Sequence, residues 1–217
     1  RDELYQVIYN LTDNAVKYSG GAAVQVLLEQ RYEPCVVDRE EAADPNMSTS
    51  TEMTGTTAAW TAGYTGAGSR IAIIDTGLDT EQQSFSAAGY EYSLALNKDS
   101  GETIDEYKAR VGVLTKDGLT EDVLKSLNVK VSADKVYLNS KIPFAYNYID
   151  KNYTVNHMSD QQGEHGSHVA GIAAANAYIQ QDDGTFASAL ESVKVQGVAP
   201  DAQLVVMKVF GAGGGAY

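Results

Sequence analysis

The run Arg70-Ile71-Ala72-Ile73-Ile74, closed at once by Asp75-Thr76-Gly77, limits the fold of this chain more than any other segment. A short apolar run bounded by turns predicts a strand buried on both faces of a parallel sheet. Such a sheet needs helices against its faces and crossover connections between its strands. The sequence downstream supplies both. Residues 142–149 place Phe144, Tyr146 and Tyr148 at alternate positions, as a strand does. Residues 165–177 carry Val169, Ile172, Ala173 and Ala177 along one helical face. Ala170, Gly171, Ala174 and Ala175 are small enough to let that helix lie close to a neighbour. Residues 204–209 form a second buried strand, entered from Gly197-Val198-Ala199-Pro200-Asp201. The order strand, insertion, strand, helix, strand predicts an α/β fold with an open, mostly parallel sheet flanked by helices. The 20 glycines of the 217 residues suit a turn-rich α/β protein better than a helical bundle.

Other segments read less regularly. Residues 86–140 are dense in Lys, Asp and Glu and read as an insertion between core elements, with a short surface helix over 121–127. Residues 180–185 read as a polar loop. Ala58-Ala59-Trp60 predicts a short helical piece, and residues 33–57, with Pro34, Pro45 and many Ser and Thr, predict an extended linker. Val24, Val26 and Leu28 alternate through residues 22–30 and predict a half-buried strand. Leu4, Val7, Ile8, Leu11 and Ala15 share one face of an amphipathic N-terminal helix, which Gly20-Gly21 stops.

Composition excludes several classes of function. The net charge of −13 opposes binding to nucleic acid and to anionic membranes. With 43% hydrophobic and 21% charged residues the chain can bury a core and is not broadly disordered. No apolar run approaches the roughly 18–20 residues of a membrane span. Cys35 is the only cysteine, which leaves no internal disulfide, and it reads as a small apolar residue. The first residues lack the apolar core of a signal peptide, and the chain is expected to be cut at both ends.

Two motifs carry chemistry. A hydroxyl nucleophile needs a base, and the base needs an orienting carboxylate. Asp75 ends a buried strand, where open α/β sheets place their working residues, and Thr76-Gly77 turns the chain away. Gly163-Glu164-His165-Gly166-Ser167-His168-Val169-Ala170-Gly171 places His165 at the first turn of a helix. His168, one turn on, is expected to face the interior. His165 and His168 with Asp75 or Glu164 also have the spacing of a zinc site, although the His-Glu-x-x-His pattern with its general base is absent.

At these residues the chain resembles the subtilisin-like serine proteases (peptidase S8). Ile-Ile-Asp75-Thr-Gly resembles the aspartate motif of that family, and His165-Gly-Ser-His-Val-Ala-Gly its histidine motif. The segment 197–209, Gly-Val-Ala-Pro-Asp-Ala-Gln-Leu-Val-Val-Met-Lys-Val, resembles the strand after the histidine helix. The long stretch between the first two motifs resembles the lactocepin and C5a-peptidase branch of Gram-positive cell-envelope enzymes. The resemblance implies a serine-type endopeptidase, secreted or wall-associated, with a protein or peptide substrate. It implies Asp75 as orienter, His165 as base and His168 as a structural residue. It implies no cofactor; calcium occurs in the family, but no acidic ligand set here is assigned to it.

The family's Gly-Thr-Ser nucleophile motif is absent. Ser167, Ser188 and Ser192 are the serines after His165, and none stands in that context. Asn176, on the histidine helix, is a poor match for the family's oxyanion asparagine. The nucleophile is therefore expected outside the chain, and a fluorophosphonate is expected not to label these 217 residues. With later strands absent, residues 204–209 are expected at a sheet edge, exposing apolar side chains. A catalytically silent module with a protease-like fold is the alternative for the chain as it stands.

Upstream, residues 24–34 resemble the last strand of an inhibitory propeptide. Asn10-Leu-Thr-Asp-Asn14-Ala-Val-Lys17-Tyr-Ser resembles the N-box of sensor histidine kinases, where the matching residues face magnesium and the ATP phosphates. Positions 10, 14 and 17 share one helical face. The segment is either an amphipathic propeptide helix or a piece of a second gene, and the alternative function it implies is an ATP-binding kinase fragment. The expected organisation is an N-box-like helix over 1–20, a propeptide end and linker over 21–52, and an incomplete subtilase catalytic domain over 53–217.

Overall fold

The computed structural model describes residues 47–156, 160 and 163–211. The chain divides into two compact units, Arg1–Ala42 and Ala43–Tyr217, and every described residue belongs to the second. The expected N-terminal helix, the propeptide-like strand and Cys35 lie outside the described residues.

In chain order the elements are α1 (Met47–Met53), α2 (Thr56–Thr61), β1 (Arg70–Asp75), α3 (Ala87–Asn97), α4 (Ile104–Val111), α5 (Glu121–Ser126), α6 (Ala133–Val136), β2 (Phe144–Asn147), α7 (His165–Ala174), β3 (Tyr178–Gln180), β4 (Phe186–Ser188), α8 (Ala189–Ser192) and β5 (Gln203–Lys208). β1, β5 and β2 form a parallel sheet in that spatial order, and β3 and β4 form an antiparallel hairpin. A mostly parallel sheet flanked by helices is the architecture expected from the sequence. Two details differ. The strand over Gln203–Lys208 is central, not at an edge, because the chain returns between β1 and β2. The expected polar loop over 180–185 is the turn of the β3–β4 hairpin.

Alternation along the strands sorts the core into two layers. On one face Ile73, Ala145, Leu204 and Val206 pack against Ala170 and Ala174 of α7. On the other, Phe144 and Tyr146, with Val205 and Met207, meet Leu119, Leu124, Val129 and Val136. The stretch 86–140, read as an insertion, thus supplies the cover of the second face. Its helices are locally specified: Ser86 accepts the Gly89 N–H at the start of α3, and Thr103 and Glu106 form a reciprocal capping box on α4. That cover stops short of β1, so Ile74 is 59% exposed. The expectation that β1 is buried on both faces is corrected to burial on one.

The expected linker over 33–57 is also corrected where it is described. Residues 47–53 and 56–61 are helical, and the Trp60 indole N–H donates to the Val198 carbonyl at 2.9 Å. Ser and Thr are weak helix formers, and here tertiary contact overrides their preference.

Candidate functional site

The register of the sheet aims Asp75 at α7. Ile71, Ile73 and Asp75 stand opposite Leu204, Val206 and Lys208, all on the face that α7 covers. The strand ends at Asp75 because the next two residues turn the chain sharply. Gly77 has φ +113°, a conformation that side chains rarely adopt, and a Cβ there would lie 2.0 Å from the Val155 carbonyl oxygen. α7 reaches this turn equally closely: a Cβ on Gly166 would lie 2.1 Å from the Gly77 carbonyl oxygen. The missing side chain of Gly166 lets the start of α7 touch the turn after β1, and that of Gly77 leaves room for the Val155 carbonyl against the same turn.

That contact brings the two expected residues together. His165 Nδ1 lies 2.8 Å from Asp75 Oδ1 and 3.0 Å from Oδ2. The Asp75 side chain is 14% exposed and the His165 side chain 67% exposed, so the aspartate is enclosed and the imidazole opens outward. Burial pushes the Asp75 carboxyl up, but the His165 ring and the Thr76 N–H together outweigh it and hold the carboxyl below its usual value. An ionised carboxylate only accepts, so Nδ1 is the nitrogen that donates to Asp75.

Residues that the sequence reading left unassigned hold this pair in place. Thr76, 3% exposed, donates its N–H to Asp75 Oδ1 at 2.7 Å and accepts the Gly166 N–H on Oγ1 at 2.9 Å. The Lys208 ammonium donates to the Thr76 carbonyl at 2.6 Å and pairs with Asp160. The signal for Lys208 lies in the period of its strand: Leu204, Val206 and Lys208 share the inward face, so the last is a cation pointed at the core.

Other expected residues fall elsewhere. His168 is exposed, not interior. The inward face of α7 is Gly166, Ala170 and Ala174, and His168 lies outside that four-residue row. Ser167 Oγ accepts the Asp79 N–H at 2.9 Å, and the Asn176 amide donates to the Ser86 carbonyl at 2.8 Å. Among the described residues no serine hydroxyl bonds His165 Nε2, and no group of three or more His, Cys, Asp or Glu side chains is placed to hold a metal ion. A groove of about 700 Å³ runs along the outer side of α7, walled by Asp79, Phe85, Glu164, His168, Ile172 and Val195.

Residues 66–217, which contain both halves of this pair, match the model of the subtilase family of peptidases (S8). The chain belongs to the subtilase family. As a subtilase it is 32% identical to a PII-type proteinase of Lacticaseibacillus paracasei over 147 residues, 68% of this chain and 6% of that protein. It is 46% identical to a PI-type proteinase of Lactococcus lactis subsp. cremoris over 74 residues, 34% of this chain and 3% of the relative. The minor extracellular protease Vpr of Bacillus subtilis is 29% identical over 180 residues, 81% of this chain and 14% of the relative. The chain thus spans no more than 14% of the length of these subtilases.

Proposed function

We propose that this chain carries the orienting aspartate, Asp75, and the general base, His165, of a subtilisin-class serine endopeptidase that cleaves protein or peptide substrates. The observation that carries the proposal is the contact of both Asp75 carboxylate oxygens with His165 Nδ1, at 2.8 and 3.0 Å, beneath an outward-facing ring. Asp75 holds the ring in the tautomer that leaves Nε2 free to take a proton. In the forward step Nε2 removes the proton of a serine hydroxyl as that oxygen attacks the scissile carbonyl. The imidazolium, stabilised by Asp75, then returns the proton to the departing amine. In this reading the nucleophile is none of Ser167, Ser188 and Ser192; Ser167 Oγ already accepts a backbone N–H. Residues 53–217 are an incomplete part of the catalytic domain, consistent with the family match over 66–217. Its working place is the cell envelope or the medium of a Gram-positive bacterium, consistent with a relative named as an extracellular protease. No helix among the described residues is long and apolar enough to cross a membrane.

The test is fluorophosphonate-sensitive hydrolysis of a denatured protein substrate by the protein bearing these residues. Asp75→Asn is expected to lower kcat by on the order of 10⁴-fold, and His165→Ala to remove the histidine-dependent rate entirely. Hydrolysis that survives His165→Ala unchanged would overturn the assignment. Activity recovered only from the cytosol would overturn the location.

A further inference from the structure

Lys208 and Asp160 form a buried pair whose side chains are 3% and 11% exposed. Neither takes part in the proton transfer described above, yet between them they join the segments that flank the two halves of the dyad. Lys208 stands in register with Asp75. Its ammonium holds the Thr76 carbonyl at 2.6 Å, and Thr76 is the residue whose N–H and Oγ1 join Asp75 to Gly166. The second partner, Asp160, lies five residues before His165 on the chain that leads into α7. One cation therefore ties the turn after Asp75 to the approach to His165.

Stability alone is a poor reason for this arrangement. Removing two ions from water costs several kcal/mol each, and well-packed apolar residues often serve a core as well or better. A methionine of similar length would continue the apolar row of Leu204 and Val206. What the ion pair adds is direction: a buried ammonium with two fixed acceptors permits few arrangements of the backbone that carries them. We propose that Lys208 and Asp160 are positioning residues for the Asp75–His165 contact, holding the β1 turn and the entry to α7 at the separation at which Nδ1 meets the carboxylate. The proposal rests on the reading of Asp75 and His165 as orienter and base.

The test observes the hydrogen bond instead of turnover. A ring N–H held by a carboxylate gives a proton resonance far downfield of the amides, assigned in the full chain by its loss in His165→Gln. Lys208→Met is expected to abolish that resonance, and Lys208→Arg to restore it in part. Asp160→Asn, which keeps the side-chain shape, is expected to speed its exchange with water roughly tenfold, about the worth of one charged hydrogen bond. Val136→Ala, in the buried layer on the opposite face of the sheet, is the control: it lowers the unfolding temperature and leaves the resonance in place. Unchanged exchange in Lys208→Met overturns the proposal, and so does equal loss of the resonance in Val136→Ala. If Lys208→Met does not fold, Asp160→Asn decides, and unchanged exchange there overturns it. A parent chain with no resonance dependent on His165 refutes the dyad itself, and the positioning role falls with it.

Discussion

Gly166→Ala tests the contact that assembles the site. The added Cβ would lie 2.1 Å from the Gly77 carbonyl oxygen and 3.1 Å from its carbonyl carbon and amide nitrogen. A carbon–oxygen contact needs roughly 3.3 Å, so the two backbones must part by about 1 Å. Both obstacles are main chain, so no rotamer change relieves them. The shift stretches the 2.9 Å bond from Gly166 N–H to Thr76 Oγ1 and the 2.8 and 3.0 Å contacts of His165 with Asp75 beyond useful range. Losing the first costs about 1 kcal/mol and the second, which involves a charge, about 1.5–3 kcal/mol. The helix preference of alanine over glycine returns up to about 1 kcal/mol. The net is a destabilisation of about 2–3 kcal/mol, or roughly 5–10 °C in Tm for a domain of this size. With Asp75 and His165 in their proposed roles, activity falls further, because a displacement of about 1 Å between catalytic groups costs on the order of 100-fold in rate. Gly171 supplies the internal control. It is buried on the same helix, but a Cβ there meets nothing within 4 Å. Gly171→Ala is expected to leave activity intact and to raise stability by up to about 1 kcal/mol. Thermal unfolding and kcat/KM on a peptide substrate, measured for both variants in a protein that also carries the nucleophile, decide the matter. A Gly166→Ala protein as stable and active as the parent, or two variants that fall together, would refute the reasoning.

Lys141, fully buried, donates to the carbonyls of Pro200 and Ala202 at 2.7 and 2.8 Å, and burial pushes its ammonium down to about 7 while Asp201 opposes the shift. The unfolded chain keeps that proton up to 10.5, so stability should rise with pH by up to about 1.4 kcal/mol per unit above pH 7. In Lys141→Met, urea unfolding across this range should show that rise lost; an identical slope in both proteins rejects it. Asp75, held below its usual 3.8, contributes stability that is complete above that value and is lost as pH falls through its lower folded value. The stability gap between the parent and Asp75→Asn should therefore narrow in acid, and a gap that widens below about pH 4 contradicts the sign. Thr103→Ala removes the acceptor of the capping box on α4 and should cost about 1 kcal/mol, read as a drop of about 2–4 °C in Tm; no change would place the helix's stability in its packing alone.

What the sequence revealed and what it hid follow from the range of the interactions involved. Asp75 was legible because a strand end and a tight turn are local events, and His165 because its glycine-flanked motif opens a helix. The order of the strands was not legible: nothing in the periodicity of residues 203–208 says that they pass between β1 and β2. The exposure of Ile74 was hidden for a similar reason, since cover on the outer face depends on where Leu119, Leu124 and Val136 come to rest. His168 misled because three-residue spacing from His165 resembles a shared face, whereas the packing row runs through Gly166, Ala170 and Ala174. Lys208 was legible in principle, as a cation on the inward period of an apolar strand, but its partners Thr76 and Asp160 are distant in sequence. Thr76, buried within the aspartate motif, looks on paper like a turn residue and nothing more.

The central place of β5 also sets a clock. Among the described residues, the parallel sheet pairs β1 and β2 with β5 and not with each other. The Lys208 ammonium that steadies the turn after Asp75 follows Thr76 by 132 residues. A ribosome adding roughly 5–20 residues per second needs on the order of ten seconds to cover that distance. For that interval the newborn chain carries its aspartate, and for part of it its histidine, without the Lys208 ammonium that bonds the Thr76 carbonyl. Asp75 and His165 are thus both synthesised before the strand that lies between β1 and β2.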